Sequence, residues 1–214
     1  MTTPPSMPVM DQAFWDQRYA AADQIWSGNP NPHLVADASN LAPGRALDVG
    51  AGEGADAIWL AEQGWTVTAV DISPVALDRG RLEAERRGDT IANRITWVQL
   101  DVLSAPLPEG PFDLISLQFM HFGPEQRTPL FERCIAAVAP GGTLLIVAHH
   151  PSDLKTSVRR PKVPEFFYTA EEIAGLLGDG WSVVDAAARP REATDPEGVV
   201  VTIHDTVLLA RRKG

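Results

Sequence analysis

Three glycines and one acid within a single stretch have the types and the spacing to hold a nucleoside. The stretch covers residues 44 to 71 and reads GRALDVGAGEGADAIWLAEQGWTVTAVD. Gly50, Gly52 and Gly54 lack a Cβ, so the turn they form can bring its backbone close to a ligand. We expect free amide hydrogens at the start of the following helix to face negative or carboxylate-bearing groups. Asp71 ends the second apolar run, where a carboxylate can accept hydrogen bonds from two ribose hydroxyls.

Asp48 separates two ligand classes that such a turn can bind. Gly50, Gly52 and Ala55 also satisfy the G-x-G-x-x-G/A fingerprint of dinucleotide-binding domains, with Asp71 close to the expected acidic position. An acid on the strand just before the glycines repels a pyrophosphate, whereas a methionine ammonium would find a partner in it. Asp48 therefore favours a methionine-bearing nucleoside, and a nicotinamide-dependent oxidoreductase stays the alternative.

Three histidines form a second group of residues that could do chemistry. The apolar run TLLIVAH leads into His149 and His150, and His204 lies in the last apolar run of the chain. A neutral imidazole can take up a proton near pH 7, so we expect one of them to act as a general base or to orient an acceptor. Adjacent residues of a strand point to opposite faces, which argues against a metal site. Structural hydrogen bonding is the other alternative.

A parallel sheet would bring these residues to one edge. Strands are predicted at residues 46–49, 67–70, 95–100 and 143–149, and residues 112–122 are predicted to form the fourth strand with its exit, with helical patterns between the strands. Open α/β sheets bind ligands at the carboxyl ends of their strands. Gln118 and His121 come after the fourth strand, so we place them at this edge. The chain closes with two strands joined by a turn at residues 195–198.

The stretch LDVGAGEG followed by VTAVDIS resembles the first two motifs of the class I S-adenosylmethionine-dependent methyltransferases. The resemblance implies an α/β fold: a Rossmann-like, doubly wound, seven-stranded sheet of order 3-2-1-4-5-7-6 with a C-terminal antiparallel hairpin. It also implies S-adenosyl-L-methionine as the cofactor. It covers about residues 12 to 213, and within the family the chain looks most like the tellurite-resistance methyltransferases, with the thiopurine methyltransferases more distant.

The tellurite enzymes use a His and Arg pair before the hairpin turn and another Arg on the last strand. Here the first region contains Arg191, and the last strand offers His204 instead. An imidazole in place of a guanidinium changes the fixed charge available to an oxyanion. The resemblance thus leaves the acceptor open between a thiol or chalcogen nucleophile and the O- or N-methyl acceptors of secondary metabolism.

An aromatic-rich segment precedes the first core strand. DQAFWDQRYAAAD reads as a helix that carries Trp15 and Arg18, and Trp26 follows in a loop rich in Gly, Pro and Asn. Aromatic faces suit the positive charge of a sulfonium. We therefore predict a helical lid, with an ordinary docked amphipathic helix as the alternative.

The family motifs also place Asp101 on the adenine amino group and the Val102 amide on the adenine ring, and a loop acid or helix cap is the alternative role of Asp101. Ile72 directly follows Asp71, so we expect it to cover one adenine face, with core packing as the alternative. The predicted cofactor contacts are Trp15, Arg18, Trp26, Asp48, Gly50, Ala51, Gly52, Asp71, Ile72, Asp101, Val102, Gln118 and His121. The predicted catalytic residues are His149, His150, His204 and Arg191.

Length and composition narrow the function classes. The 214 residues, 44% of them apolar, predict one α/β domain. Together with the resemblance, the chain is expected to have a disordered tail at 1–10, the lid at 11–42 and a methyltransferase domain at 43–214. A net charge of −10 disfavours nucleic-acid substrates. No stretch reaches the length of a membrane span or resembles a secretory signal, so we predict a cytoplasmic protein that acts on a small molecule. A cofactor-binding protein without catalysis remains a further alternative, and oligomeric state is not readable.

Overall fold

The computed structural model describes residues 10–214, which form one seven-stranded sheet with helices on both faces. The strands are β1 (Arg45–Val49), β2 (Thr66–Asp71), β3 (Ile95–Gln99), β4 (Phe112–Gln118), β5 (Val138–His149), β6 (Trp181–Thr194) and β7 (Val200–Arg212). The helices are α1 (Gln12–Ala20), α2 (Pro32–Ala38), α3 (Ala55–Glu62), α4 (Pro74–Arg87), α5 (Asp89–Ala92), α6 (Pro124–Ala137) and α7 (Ala170–Ala174). Short 3-10 turns cover Pro151–Lys155 and Pro164–Phe166. The predicted tail lies outside the described residues except for Met10.

The strand order is β3-β2-β1-β4-β5-β7-β6, as the resemblance implied. β1 to β5 pair in parallel, whereas β7 is antiparallel to both β5 and β6. The predicted sheet and C-terminal hairpin are therefore confirmed. β5 begins at Val138 rather than Thr143, because Phe112 already pairs with Val138 before the register shifts. The carboxyl ends of the parallel strands meet at one edge.

Each face of the sheet has its own core, since the central strands are buried on both sides. Leu117 and Ile146 pack with α6 and α7 residues on one face. Leu145 and Val147 pack with Leu34 of α2 and with α3 on the other. Side chains alternate along a strand, so His149 continues the face of Leu145 and Val147. This alternation decides which helices His149 meets.

Local signals at the element ends behave as their chemistry predicts. Ser73 caps α4 by accepting from the Ala76 amide at 3.3 Å, and Thr169 caps α7 by accepting from the Glu172 amide. Asp113, at the amino end of β4, accepts from the Arg45 amide at 2.8 Å and has a structural role far from the ligand edge.

None of the helices within residues 10–214 combines the length and the apolar character that a membrane span requires.

Candidate active site

The glycine-rich turn after β1 is held by its own hydrogen bonds. The amides of Gly50 and Ala51 donate to the Val70 carbonyl at 2.8 and 2.9 Å. The Gly52 amide donates to Asp71 Oδ2 at 2.8 Å, and the Gly54 amide donates to the Ala51 carbonyl at 2.9 Å. These four amides of the turn are therefore occupied, and the free amide hydrogens expected at the start of the following helix stay a prediction. The turn acts as a rigid scaffold between the two acids rather than as a row of open donors.

The left-handed backbone of this turn explains its glycines. Gly50 and Gly52 have φ of 75° and 54°, which L side chains rarely adopt. A Cβ on Gly52 would lie 3.0 Å from the Tyr19 hydroxyl, and a Cβ on Gly50 would lie 2.3 Å from the sulfur of Met120. Segments from two other parts of the chain thus approach the turn closely.

Asp48 carries a buried oxygen without a partner at the carboxyl end of β1. Its exposed fraction is 2%, and Oδ2 has no hydrogen-bond partner among the described residues. Burial raises the pKa of this carboxyl well above its ordinary value, and the nearby charges of Asp56 and Asp71 raise it further. A cationic group placed against Oδ2 would satisfy the oxygen and favour its ionised form. The site therefore fits an ammonium-bearing ligand, such as the predicted cofactor.

Asp71 is tied to the backbone on both sides. Its Oδ2 accepts from the Gly52 amide, and its Oδ1 accepts from the Ser73 amide at 2.9 Å. Burial raises its pKa, which these amide hydrogen bonds partly offset. An ionised carboxylate has about four acceptor positions, so capacity for a ribose hydroxyl remains.

α1 and the loop after it lie directly over the glycine turn. Tyr19 is buried, and its hydroxyl accepts from the Trp26 indole N–H at 3.1 Å. The Arg18 guanidinium lies 5.8 Å from the Trp15 ring and 5.6 Å from the Trp26 ring. Tyr19 is not among the predicted cofactor contacts. Its position one helical turn after Trp15 was the available signal, since i and i+4 residues share a helix face.

A carboxylate of the glycine turn fastens this overlying loop. Glu53 accepts from the amides of Ile25 and Trp26 at 3.2 and 3.1 Å. It also pairs with Arg79 at 2.9 Å, and Arg79 donates to the Tyr19 carbonyl at 2.8 Å. The turn and its cover are thus linked through one ion pair.

Asp101 has the loop role that the sequence left open as an alternative. Its carboxylate accepts from the Leu103 amide at 3.0 Å and from the Ser104 hydroxyl at 2.8 Å. Val102 is buried in the core below it, and Ile72 is half-buried beside Asp71. The adenine contacts of these residues stay a prediction.

The residues after β4 connect the glycine turn to a cluster of rings. Met120 packs against Gly50, while Phe119, in the left-handed region at φ 53°, stacks on His149 at a centroid distance of 4.7 Å. The ring of His121, which follows Met120, lies 5.2 Å from the His149 ring. Gln118 donates to the Ser116 hydroxyl at 2.7 Å, and its buried Oε1 lacks a partner within the described chain.

The two imidazoles of this cluster favour the neutral form. Burial lowers the pKa of His121 to about 4, and the nearby His149, Arg160 and Arg18 lower it further. Burial also lowers the pKa of His149, although Asp205 opposes that shift. Phe166 lies 6.0 Å from the His121 ring, and Phe167 lies 6.2 Å from the His149 ring. The cluster is therefore a group of aromatic rings that includes two imidazoles with lowered pKa values.

Arg191 reaches this cluster through Asp205. The buried Asp205 carboxylate accepts from Arg191 Nε at 2.5 Å and from His33 Nε2 at 3.2 Å, both at Oδ2. His149 Nδ1 lies 4.0 Å from Oδ1. Burial opposes ionisation of Asp205, but contacts with His149, His33 and Arg191 outweigh it and hold its pKa below the usual range. His33 and Asp205 were absent from the predicted site, and no local pattern marks either.

His150 and His204 lie away from this cluster. Their rings are 6.2 Å apart, and the Ser152 hydroxyl lies 2.9 Å from His150 Nδ1 and 3.4 Å from His204 Nδ1. His204 neighbours Asp205 on β7 and therefore points to the opposite face. The structure thus does not bring the four predicted catalytic residues together. It joins His149 to Arg191 and separates both from His150 and His204, whose part in catalysis stays a prediction.

Asp56, a half-buried acid beside the cofactor turn, predicts a pH-dependent stability. Burial raises the pKa of Asp56 to about 6, while its Oδ1 accepts from the Asn31 amide at 2.6 Å. A carboxyl in the unfolded chain ionises near pH 4. The contribution of Asp56 to the free energy of unfolding should therefore be full below about pH 4 and be lost as pH rises through about 6. In Asp56→Asn, which keeps an acceptor oxygen, this loss should shrink by about 1 to 3 kcal/mol. Urea unfolding at several pH values measures it, and equal slopes in both proteins would refute the assignment.

Comparison with known proteins finds that this chain is similar to methyltransferases. The family described as "Methyltransferase domain" matches residues 46–142. An uncharacterized methyltransferase of Mycobacterium tuberculosis is 34% identical over 139 residues, which cover 64% of this chain and 66% of the relative, just under two thirds. The 2-heptyl-1-hydroxyquinolin-4(1H)-one methyltransferase of Mycobacteroides abscessus is 29% identical over 184 residues, 79% of this chain and 80% of the relative.

Solved structures share the fold. TehB from Haemophilus influenzae superposes with a TM-score of 0.71 at 22% identity, covering 94% of this chain and 67% of that one. The N-methyltransferase NodS from Bradyrhizobium japonicum, in complex with S-adenosyl-L-homocysteine, gives a TM-score of 0.68 at 19% identity, covering 95% and 98%. The sheet order, the acids around the glycine turn and these relatives agree, and together they support a class I S-adenosylmethionine-dependent methyltransferase with S-adenosyl-L-methionine as its cofactor.

Proposed function

We propose that this chain transfers a methyl group from S-adenosylmethionine to a hydroxyl oxygen of a small aromatic acceptor. The observation that carries the proposal is the pair of half-buried imidazoles beside the cofactor turn, His121 and His149, whose rings lie 5.2 Å apart and whose pKa values burial lowers. A hydroxyl must lose its proton on methylation, and a neutral imidazole can accept it. A thiol or chalcogen nucleophile needs less help, so it would leave these imidazoles without a chemical task.

The cofactor would lie between the sheet edge and α1. Asp48 would hold its ammonium group, Asp71 its ribose, and Tyr19 with Trp26 would cover it. When bound, the cofactor supplies an electrophilic methyl group on a sulfonium. We also propose that residues 11–42 act as the lid of a domain formed by 43–214, because Glu53 fastens their loop to the turn. A cytoplasmic location and the absence of a nucleic-acid substrate stay predictions from the sequence.

The ring cluster supports an aromatic acceptor. Phe119, Phe166 and Phe167 lie within 4.7 to 6.2 Å of an imidazole centroid, so a planar acceptor could stack among them. The low pKa of His121 favours its neutral form. A neutral imidazole adds no positive charge next to a sulfonium. The name of the Mycobacteroides abscessus relative gives a hydroxyquinolinone as its substrate, which is an aromatic compound with a hydroxyl group.

Two measurements in sequence test the proposal. Isothermal titration calorimetry with S-adenosylmethionine and S-adenosylhomocysteine should show binding of both, with NAD and NADP as non-binding controls. The bound protein is then given phenols, N-hydroxy heteroaromatics, aliphatic amines, thiols and tellurite, and methylated products are measured by mass spectrometry with a labelled methyl group. Methylation of hydroxyl compounds is expected. Turnover of thiols or tellurite alone would replace the acceptor assignment, and binding of a nicotinamide dinucleotide alone would overturn the cofactor role of Asp48.

A further inference from the structure

We propose that Asp205 positions His149 as the general base of the transfer, and that His33 and Arg191 hold Asp205 for this task. The inference rests on the proposed function, since only an acceptor that loses a proton needs a base. The three positioning residues lie far apart in the chain and come from three elements, α2, β6 and β7.

The first support is a pair of unpaired atoms that face each other. His149 and Asp205 are direct partners in the antiparallel β5–β7 pairing, so both side chains lie on one face of the sheet. His149 Nδ1 and Asp205 Oδ1 are both buried, and neither has a hydrogen-bond partner within residues 10–214. They lie 4.0 Å apart. An approach of about 1 Å makes an N–H···O hydrogen bond and removes the cost of two buried, unpaired groups.

The second support is the clamp on the other carboxylate oxygen. Arg191 of β6 and His33 of α2 both donate to Asp205 Oδ2, at 2.5 and 3.2 Å. With Oδ2 held from two sides, Oδ1 stays turned toward His149. These contacts also keep the pKa of Asp205 low, so the carboxylate is ionised wherever the enzyme works. An ionised Asp205 fixes the proton of His149 on Nδ1 and leaves Nε2 as the acceptor.

The other charged groups around His149 select it over His121. His149 faces the Asp205 carboxylate, and Asp153 also favours its protonated form, whereas Arg160 opposes it. His121 faces Arg160, Arg18 and His149, all of which disfavour its protonated form. Burial disfavours the protonated form of both imidazoles, but Asp205 and Asp153 offset part of that cost at His149, and no acid of the described residues does so at His121.

The proposed step moves one proton and one methyl group. Nε2 of His149 takes the proton of the acceptor hydroxyl while the hydroxyl oxygen uses a lone pair to bond the methyl carbon. The electron pair of the breaking carbon–sulfur bond stays on sulfur. The products are a methyl ether, a thioether and one imidazolium at His149, whose charge Asp205 offsets until the proton passes to water.

The test compares three variants of the full chain with a hydroxyl acceptor. In His149→Gln, kcat should fall about 100-fold or more, in line with the loss of a general base. In Asp205→Asn, kcat should fall about 10- to 100-fold, and the acid limb of the kcat–pH profile should shift to lower pH, because the imidazolium has lost its carboxylate. Asp37→Asn is the matched control, since Asp37 also ties α2 to β6, through Arg189 at 2.8 Å, without touching Asp205.

The control variant should keep the wild-type kcat and pH profile, and all three should bind S-adenosylhomocysteine as the wild type does. Unchanged kcat and pH profile in Asp205→Asn, with methyl ether still formed, would overturn the inference and leave the proposed function intact. If the wild type methylates only thiols, the proposed function itself fails. If Asp205→Asn does not fold, ¹⁵N NMR of the wild-type protein shows which ring nitrogen of His149 carries the proton. A His149 protonated at Nδ1 supports the inference, and one protonated at Nε2 overturns it.

Discussion

Asp71→Ala should weaken S-adenosylmethionine binding about 10- to 150-fold, equivalent to roughly 1.5 to 3 kcal/mol for hydrogen bonds to a charged group. The variant loses the carboxylate that would accept from the ribose. It also loses the brace between the Gly52 and Ser73 amides, so the turn itself becomes less fixed. Isothermal titration calorimetry at constant pH measures the affinity, and urea unfolding confirms that the variant is folded.

Asp113→Ala serves as the matched control for Asp71→Ala. Asp113 also accepts a backbone amide, from Arg45 at 2.8 Å, but it lies at the amino end of β4, at the opposite edge of the sheet. This variant should keep the wild-type affinity even if it loses some stability. An Asp71→Ala protein that binds the cofactor with wild-type affinity would show that the nucleoside lies elsewhere.

Asp153→Ala should lower the free energy of unfolding by about 3 to 5 kcal/mol, because it leaves a buried partner charge uncompensated. Asp153 Oδ2 accepts from Nε and Nη2 of Arg160 at 3.0 and 2.9 Å, and Oδ1 accepts from the His204 amide at 2.9 Å. The Asp153 side chain is fully buried, and 12% of the Arg160 side chain is exposed. This pair ties the segment that carries Phe166 and Phe167 to β7. Equilibrium urea unfolding measures the change.

An exposed ion pair gives the control for this prediction. Asp78 and Arg81 pair at 2.6 Å on the surface of α4, with 65% and 54% of their side chains exposed. Asp78→Ala should change stability by less than about 0.5 kcal/mol, since solvent screens such pairs. A comparable loss in both variants would mean that burial does not set the strength of the Asp153 contact.

Local patterns in the sequence were sufficient for the fold and the cofactor edge. Apolar runs, Ser73 and Thr169 as caps, and glycines between two acids each depend on neighbours along the chain. Such signals survive without knowledge of the rest of the molecule. The strand order and hairpin followed once the motifs indicated the family, and the structure confirms both.

Other features depended on contacts that no local pattern encodes. The amides of the glycine turn are used by Val70 and Asp71, because the close packing of two parallel strands places those acceptors within reach. Tyr19 covers Gly52 because the Glu53–Arg79 pair holds α1 over the turn. Both outcomes are set by packing between elements, which the sequence by itself leaves open.

The sequence by itself determined that an acid, a glycine turn and a second acid would lie at one sheet edge, because these residues belong to one β-α-β unit. Only the tertiary structure decided which of the histidines meet. His33, His149, Arg191 and Asp205 come from α2, β5, β6 and β7 and converge through strand register and the docking of α2. The same register turns His204 to the other face, since successive side chains of a strand alternate. Long-range strand pairing therefore determines which groups surround the candidate base, whereas the local sequence motifs were sufficient to predict the cofactor.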